Sequence, residues 1–213
     1  MPCKDEAARI AATVRALQTI PAIDLVLVVG GIGIDVLRHV KGRRRYLPMA
    51  ALPLLLGLHQ IDEAFVWWGL QGHISSALGT LAIWIYLLFA FVVLPIYVPL
   101  ALLVMETSPK RRQAMAGFVA LGAAVSALLL AAMLRGPVRA ELGHLHLGYS
   151  TDLRAGLLVV GAYVVATCGA MLLSSHRDIA IFGIVNLVAV FVLAKLAIDG
   201  FASLWCGWAA LCS

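Results

Sequence analysis

His59, Gln60, Asp62 and Glu63 are the residues of this chain best equipped for chemistry, and they stand where such residues are costly. They interrupt the apolar run from Leu47 to Leu70, which exceeds the roughly 20 residues that cross a bilayer. A charge at the bilayer centre costs about 2.5 to 3.5 kcal/mol on insertion scales. The cluster is therefore expected to face a protein interior and to form a functional site. His59, Glu63 and Trp67 recur every fourth residue and share one helical face, with Gln60 beside them. Asp62 points about 100° away. Adjacent carboxylates in a dry site repel and burial disfavours their charged forms, so at least one is expected to keep its proton near neutral pH. A neutral carboxylic acid in an apolar pocket is a strong proton donor when its conjugate base can be stabilised. His59 or Gln60 could do this for Glu63 by hydrogen bonding.

The aromatic residues extend this chemistry. Trp67, Trp68, Trp84, Tyr86, Phe89, Tyr97, Tyr163, Trp205 and Trp208 all fall in apolar stretches. Ring faces stabilise cations by roughly 0.5–2 kcal/mol each. An acid aimed into an aromatic-lined cavity suits protonation of an alkene and steering of the carbocation that follows. No DDxxD motif and no glycine-rich phosphate loop is present, so metal-assisted loss of diphosphate is not expected, and neither metal nor cofactor is implied.

The elements that must position these groups follow from composition. Hydrophobic residues make up 62% of the 213 residues and charged ones 13%, against about 45–50% and about 25% in soluble domains. The excess lies in long runs, which predicts an all-α integral membrane bundle of six to seven spans in a single domain, 1–213. Residues 1–18 suit an interfacial helix, with no secretory signal peptide. The spans are expected near Ile20–Val40, Tyr46–Leu70, Leu78–Glu106, Ala114–Leu134, Leu153–Leu173 and Ile179–Ile198, with Phe201–Ser213 a short seventh or a re-entrant tail. Gly30, Gly31 and Gly33 would let another helix approach closely. Pro95 and Pro99 should kink the third span. The polar segment 135–153 is expected to form a lid: Val138–Leu142 and His144–Leu147 alternate about Gly143 as a small extracellular β-hairpin. Cys3, Cys168, Cys206 and Cys212 make no disulfide framework.

Basic residues set the orientation. Even-numbered crossings put Arg38, Lys41, Arg43–Arg45, Lys110–Arg112 and Arg177 on one side, nine charges in short loops. That side is expected to be cytoplasmic, with the N-terminus outside. The +5 net charge thus reads as topology and not as a nucleic-acid surface. Asp62, Glu63, Asp24 and Asp199 then converge in the outer half, beneath the hairpin. Asp35 and Glu106 fall near the cytoplasmic ends and read as ordinary. Asn186 and Lys195 lie inside the sixth span, Lys195 four residues before Asp199.

The stretch Leu47-Pro-x-Ala-Ala-Leu-Pro-Leu-Leu-x-Gly-Leu-His-Gln-x-x-Glu-Ala-Phe-Val-Trp-Trp-Gly-Leu70 resembles a family of small actinobacterial membrane proteins. So do Tyr86–Ala90, Ala132–Pro137, Ala166–Ala170, Leu172–Arg177 and Gly200–Cys206. The resemblance covers nearly the whole chain from about Asp24. It extends to the membrane-bound sesquiterpene cyclases of drimentine-type indole alkaloid biosynthesis, and fungal meroterpenoid cyclases are similar in concept. It implies a lipophilic, farnesylated indole substrate, cyclised by proton attack on its terminal alkene. Glu63 would be the acid, with Asp24 or Asp199 as partner. His59, Gln60, Trp67, Trp84, Tyr86, Phe89, Tyr163, Asn186 and Trp205 would line the substrate. The N-terminus departs from the family, whose members often begin Met-Cys-Phe-Ser.

Two other functions fit the same residues. A proton-coupled carrier or ion channel would use the four acids as a relay, although no internal repeat is evident. A non-catalytic module binding lipid or a partner would leave them as structural carboxyls between helices.

Overall fold

The computed structural model describes the backbone of residues 22–40, 42–136, 138–142, 147–150 and 156–196, and the side chains of 30–40, 42–136, 138, 140, 156 and 158–192. The interfacial segment 1–18, Asp199, Trp205, Trp208 and the tail lie outside the described residues, as do Cys3, Cys206, Cys212, His144 and His146. Asp24 and Lys195 are described by their backbone alone.

Helix α1, Ala22–His39, runs into a turn at Gly42, whose φ of +99° suits glycine. A 3-10 turn at Arg44–Tyr46 leads to α2, Leu47–Leu70, which starts on Pro48. Gly72, at φ +77°, reverses the chain again. The Ser75 hydroxyl accepts from the Leu78 N–H at 3.4 Å and starts α3, Ser76–Met105. Helix α4 is Pro109–Arg135. Strands β1, Arg139–Leu142, and β2, Leu147–Ser150, pair antiparallel with Arg139 opposite Ser150 and Leu142 opposite Leu147. The second strand therefore begins where His144–Leu147 was expected to end. Helix α5 starts at Gly156 and ends at Leu172; α6 is Arg177–Leu196.

Apart from that ribbon the described chain is helical. Among the described residues three segments are long and apolar enough to cross a membrane: Arg44–Leu70, Ser76–Met105 and Pro109–Arg135. Their outward faces carry large apolar side chains, such as Leu78, Leu81 and Ile85 on α3. A stripe at that spacing is what a helix presents to lipid or to a partner, not to water.

Prolines shape α3. Its first part, Ser76–Leu87, passes into a π-helical turn at Leu88–Val93 before α-helix resumes at Leu94–Met105. In the π register the Leu94 N–H donates to the Phe89 carbonyl, five residues back. Pro95 has no N–H, so the next carbonyl in that register, Ala90, loses its main-chain donor. The Tyr163 hydroxyl donates to it instead, at 2.8 Å. Ser126 Oγ likewise donates to the Val92 carbonyl at 2.8 Å. The expected disturbance at Pro95 is thus a widened turn held by side chains of α4 and α5.

Glycines let the helices close. Gly69 and Gly79 bring α2 and α3 together backbone to backbone. Gly33 meets the Leu54 backbone, whereas Gly30 and Gly31 face open space, so one of the three expected glycines does the packing. Gly122 lies against the Pro95 carbonyl, which Pro99 deprives of its donor four residues on. A Cβ there would overlap that oxygen. Gly122→Ala should lower stability by about 1–3 kcal/mol, while Gly117→Ala, in open space, should be neutral or slightly stabilising. Thermal unfolding of the two variants in detergent checks this.

Candidate functional site

The buried stripe of α2 runs through Leu52, Leu56, His59, Glu63 and Val66, in steps of three and four residues. The polar pair therefore sits on the same face as the core leucines. His59 is 4% exposed and Glu63 7%. The His59 ring stacks on Tyr86, centroids 4.0 Å apart at 23°, and tilts against Phe89 at 4.7 Å and 38°. Gln60 and Asp62 are half-buried on either side. His59 Nε2, Gln60 Nε2 and Asp62 Oδ2 are buried and find no hydrogen-bond partner among the described residues. Leaving a buried polar atom unmet costs about 1–3 kcal/mol. Three such atoms lie within about one turn of α2, and a cost of this size in a native fold calls for an explanation.

Asp24 comes to this level by register. A short connection makes α1 and α2 antiparallel, and Gly33 meets Leu54. Asp24 precedes Gly33 by nine residues and Glu63 follows Leu54 by nine, so at equal rise their backbones are level.

Beyond Glu63 the stripe enters an aromatic cluster. Val66, Ala82, Tyr86, Leu87 and Met133 form its buried centre, with Trp67 and Trp84 packed on it. Val138 and Ala140 of the ribbon segment pack on the same cluster, so the ribbon sits at the Glu63 end of the bundle. Trp68 is turned outward. The structure thus brings together Glu63, His59, Tyr86 and Phe89, with Trp67 and Trp84 adjoining.

Tyr163 and Asn186 belong elsewhere. With Leu52, Leu56, Thr167 and Cys168 they line a cavity of about 50 Å³. Ligand pockets run to roughly 300–1,000 Å³, so this space suits a few waters and not a prenyl chain. Its polar groups are turned to backbone: Thr167 Oγ1 donates to the Tyr163 carbonyl at 3.0 Å, and Asn186 Nδ2 to the Phe182 carbonyl at 2.9 Å. A second π-helical turn, Val165–Gly169, borders it. Phe89, which touches His59 and also packs on the core cluster that holds Tyr163, links the two regions.

A family model matches residues 18–213, which takes in Asp24, Asp62, Glu63 and the core of every described helix. Its description is "Family of unknown function (DUF6629)". The chain belongs to this family. No curated protein and no solved structure gives a match.

In this DUF6629 member Glu106, read from sequence as ordinary, is a carboxylate held by four hydrogen bonds. It is 2% exposed. Oε1 accepts from the Thr107 and Ser108 N–H groups, both at 2.9 Å, and from Ser175 Oγ; Oε2 accepts from the Ser175 N–H at 3.0 Å. Burial alone would raise its pKa. The hydrogen bonds from Ser175, Ser108 and Thr107 outweigh that and hold it at about 2, against an ordinary 4.5. Arg112 donates to the Glu106 carbonyl at 3.2 Å, and Arg111 to the Leu173 carbonyl at 3.3 Å. This carboxylate clasps two turns and takes no part in the site near Glu63. Asp35 is exposed and, among the described residues, pairs with His39 at 3.4 Å.

Proposed function

We propose that this chain is a multi-pass membrane protein with its basic loops toward the cytoplasm and its β-ribbon on the opposite side. On this reading it is a proton-initiated terpene cyclase acting on a farnesylated, indole-type substrate that arrives from the lipid. Glu63 delivers its proton to the terminal alkene carbon. The electron pair of that double bond forms the new C–H bond and leaves a tertiary cation. Neighbouring double bonds close rings onto it, and a proton lost from carbon returns to a carboxylate. Nothing is consumed, so product and substrate have equal mass.

One observation carries the reading: a buried carboxyl lies one turn from a buried imidazole packed against two aromatic rings, on apolar helices. His59 and Gln60, with unmet polar atoms on the same turn, are placed to support the carboxylate left behind. Tyr86, Phe89, Trp67 and Trp84 supply ring faces for the cation. Asp62 and Asp24 are the described candidates for the second acid. Tyr163 acts at a distance, by holding the π turn of α3 that carries Phe89, while Asn186 donates to the Phe182 carbonyl of its own helix.

Membranes carrying the protein should convert a farnesylated indole into an isomer with fewer alkene signals, seen by mass spectrometry and NMR, while control membranes do not. If no isomer forms, and proteoliposomes instead acidify along a pH gradient in a Glu63-dependent way, the carrier reading replaces this one.

A further inference from the structure

The opposite end of the bundle carries a larger space than the one beside Tyr163. A groove of about 370 Å³ opens between α1, the start of α2 and the start of α6. Val36, Val40, Tyr46, Met49 and Ile179 supply apolar walls, and among the described lining residues Asp178 is the one acid. This volume falls within the roughly 300–1,000 Å³ of ligand sites.

Its rim is basic. Val40 and Tyr46 both line the groove, and the loop between them carries Arg43, Arg44 and Arg45. All three are exposed, and among the described residues none makes a side-chain hydrogen bond or ion pair. Arg111 and Arg112 differ, being committed to the Leu173 and Glu106 carbonyls. Arg177 opens α6 at the same mouth. The first turn of α6 adds main-chain N–H groups that suit an anion. His176 stands edge-on to Tyr46 with centroids 6.1 Å apart, and its buried Nδ1 finds no partner among the described residues.

We propose that this groove binds an anionic glycerophospholipid. One acyl chain would lie along Val36, Val40 and Met49, and the phosphate would meet Arg43–Arg45, with His176 as a further donor. Charge decides the class: four exposed arginines flank the groove and one aspartate lines it, so a zwitterionic headgroup gains less than an anionic one. The apolar wall decides against a free anion, which has no use for it. The inference rests on the membrane placement proposed above and is independent of the role given to Glu63.

The test is native mass spectrometry of the full chain in detergent, titrated with phosphatidylglycerol and with phosphatidylcholine of the same chains. Phosphatidylglycerol should bind at least tenfold tighter. The variant Arg43→Gln/Arg44→Gln/Arg45→Gln should weaken it roughly a hundredfold, at about 1 kcal/mol per arginine. Val40→Trp, which fills the groove and leaves the arginines, should weaken it at least tenfold, and it decides the matter if the triple variant does not fold. Equal retention of the two lipids, unchanged binding in either folded variant, or displacement of the lipid by inorganic phosphate overturns the proposal. Carbonate washing of membranes tests the placement separately: release of the protein would sink the membrane reading, whatever the lipid titration gives.

Discussion

Glu63→Gln should cut the isomerisation of a farnesylated indole by about a thousandfold and leave the fold intact. Glutamine matches glutamate in shape and still accepts and donates hydrogen bonds, so α2 keeps its packing against Tyr86 and Phe89. It cannot deliver a proton to carbon. General acids contribute about 10²–10⁴ in rate, and here protonation is the step that starts every later one. The loss should therefore fall on kcat and not on substrate binding. His59→Phe separates donor from support: the ring still packs against Tyr86 and Phe89, but the imidazole nitrogens are gone. A loss of ten- to a hundredfold would suit a group that stabilises the conjugate base. Cyclisation at the wild-type rate in a folded Glu63→Gln protein would remove Glu63 from the donor's role, and with it the mechanism.

What the sequence made legible was periodicity against cost. Leu52, Leu56, His59, Glu63 and Val66 fall on one stripe, and a stripe that keeps a histidine and a glutamate among leucines announces its burial. The basic loops were legible for the same reason: Arg38–Arg45, Lys110–Arg112 and Ser174–Arg177 gather at one end of the bundle because short loops leave no alternative. Partners far apart in sequence were not legible. Tyr163 and Asn186 carry the same residue types as a lining site, yet Tyr163 supplies a donor for Ala90, a need that exists only because Pro95 lacks an N–H. Seeing this in advance would have required the π register of Leu88–Val93, which no local pattern encodes. Gly33 packs where Gly30 and Gly31 do not: Gly31, two residues away, is turned to the far side of the helix, and Gly30, one turn earlier on nearly the same face, meets no neighbour. Glu106 escaped because a glutamate at a helix end is usually solvated, and Ser175, its partner, lies 69 residues away. The available signal was Glu106-Thr107-Ser108-Pro109, a helix stop and restart too tight to leave its N–H groups to water.

Glu106→Ala should therefore be the most damaging change outside the Glu63 site, costing about 3 kcal/mol or more. Hydrogen bonds to a charged acceptor are worth about 1.5–3 kcal/mol each, and the variant leaves the N–H groups of Thr107, Ser108 and Ser175 without theirs. The damage should reach beyond the turn, since this carboxylate ties the α3–α4 connection to the α5–α6 connection. Glu106→Gln distinguishes charge from shape. It keeps an acceptor for two of the N–H groups but presents an amide N–H₂ where Ser175 or Ser108 also donates, so it should recover only part of the loss. The pH dependence has a definite sign. The carboxyl is held at about 2 when folded, against an ordinary 4.5. Its charge stabilises the fold fully above about 4.5, and that contribution drains away as pH falls from there toward 2. Thermal unfolding in detergent should show the wild-type protein losing stability across that window. Glu106→Gln, less stable at neutral pH, should lose less of it there. Parallel acid profiles for the two proteins would mean that the clasp holds through its shape alone, and the charge on Glu106 would then carry no share of the stability assigned to it.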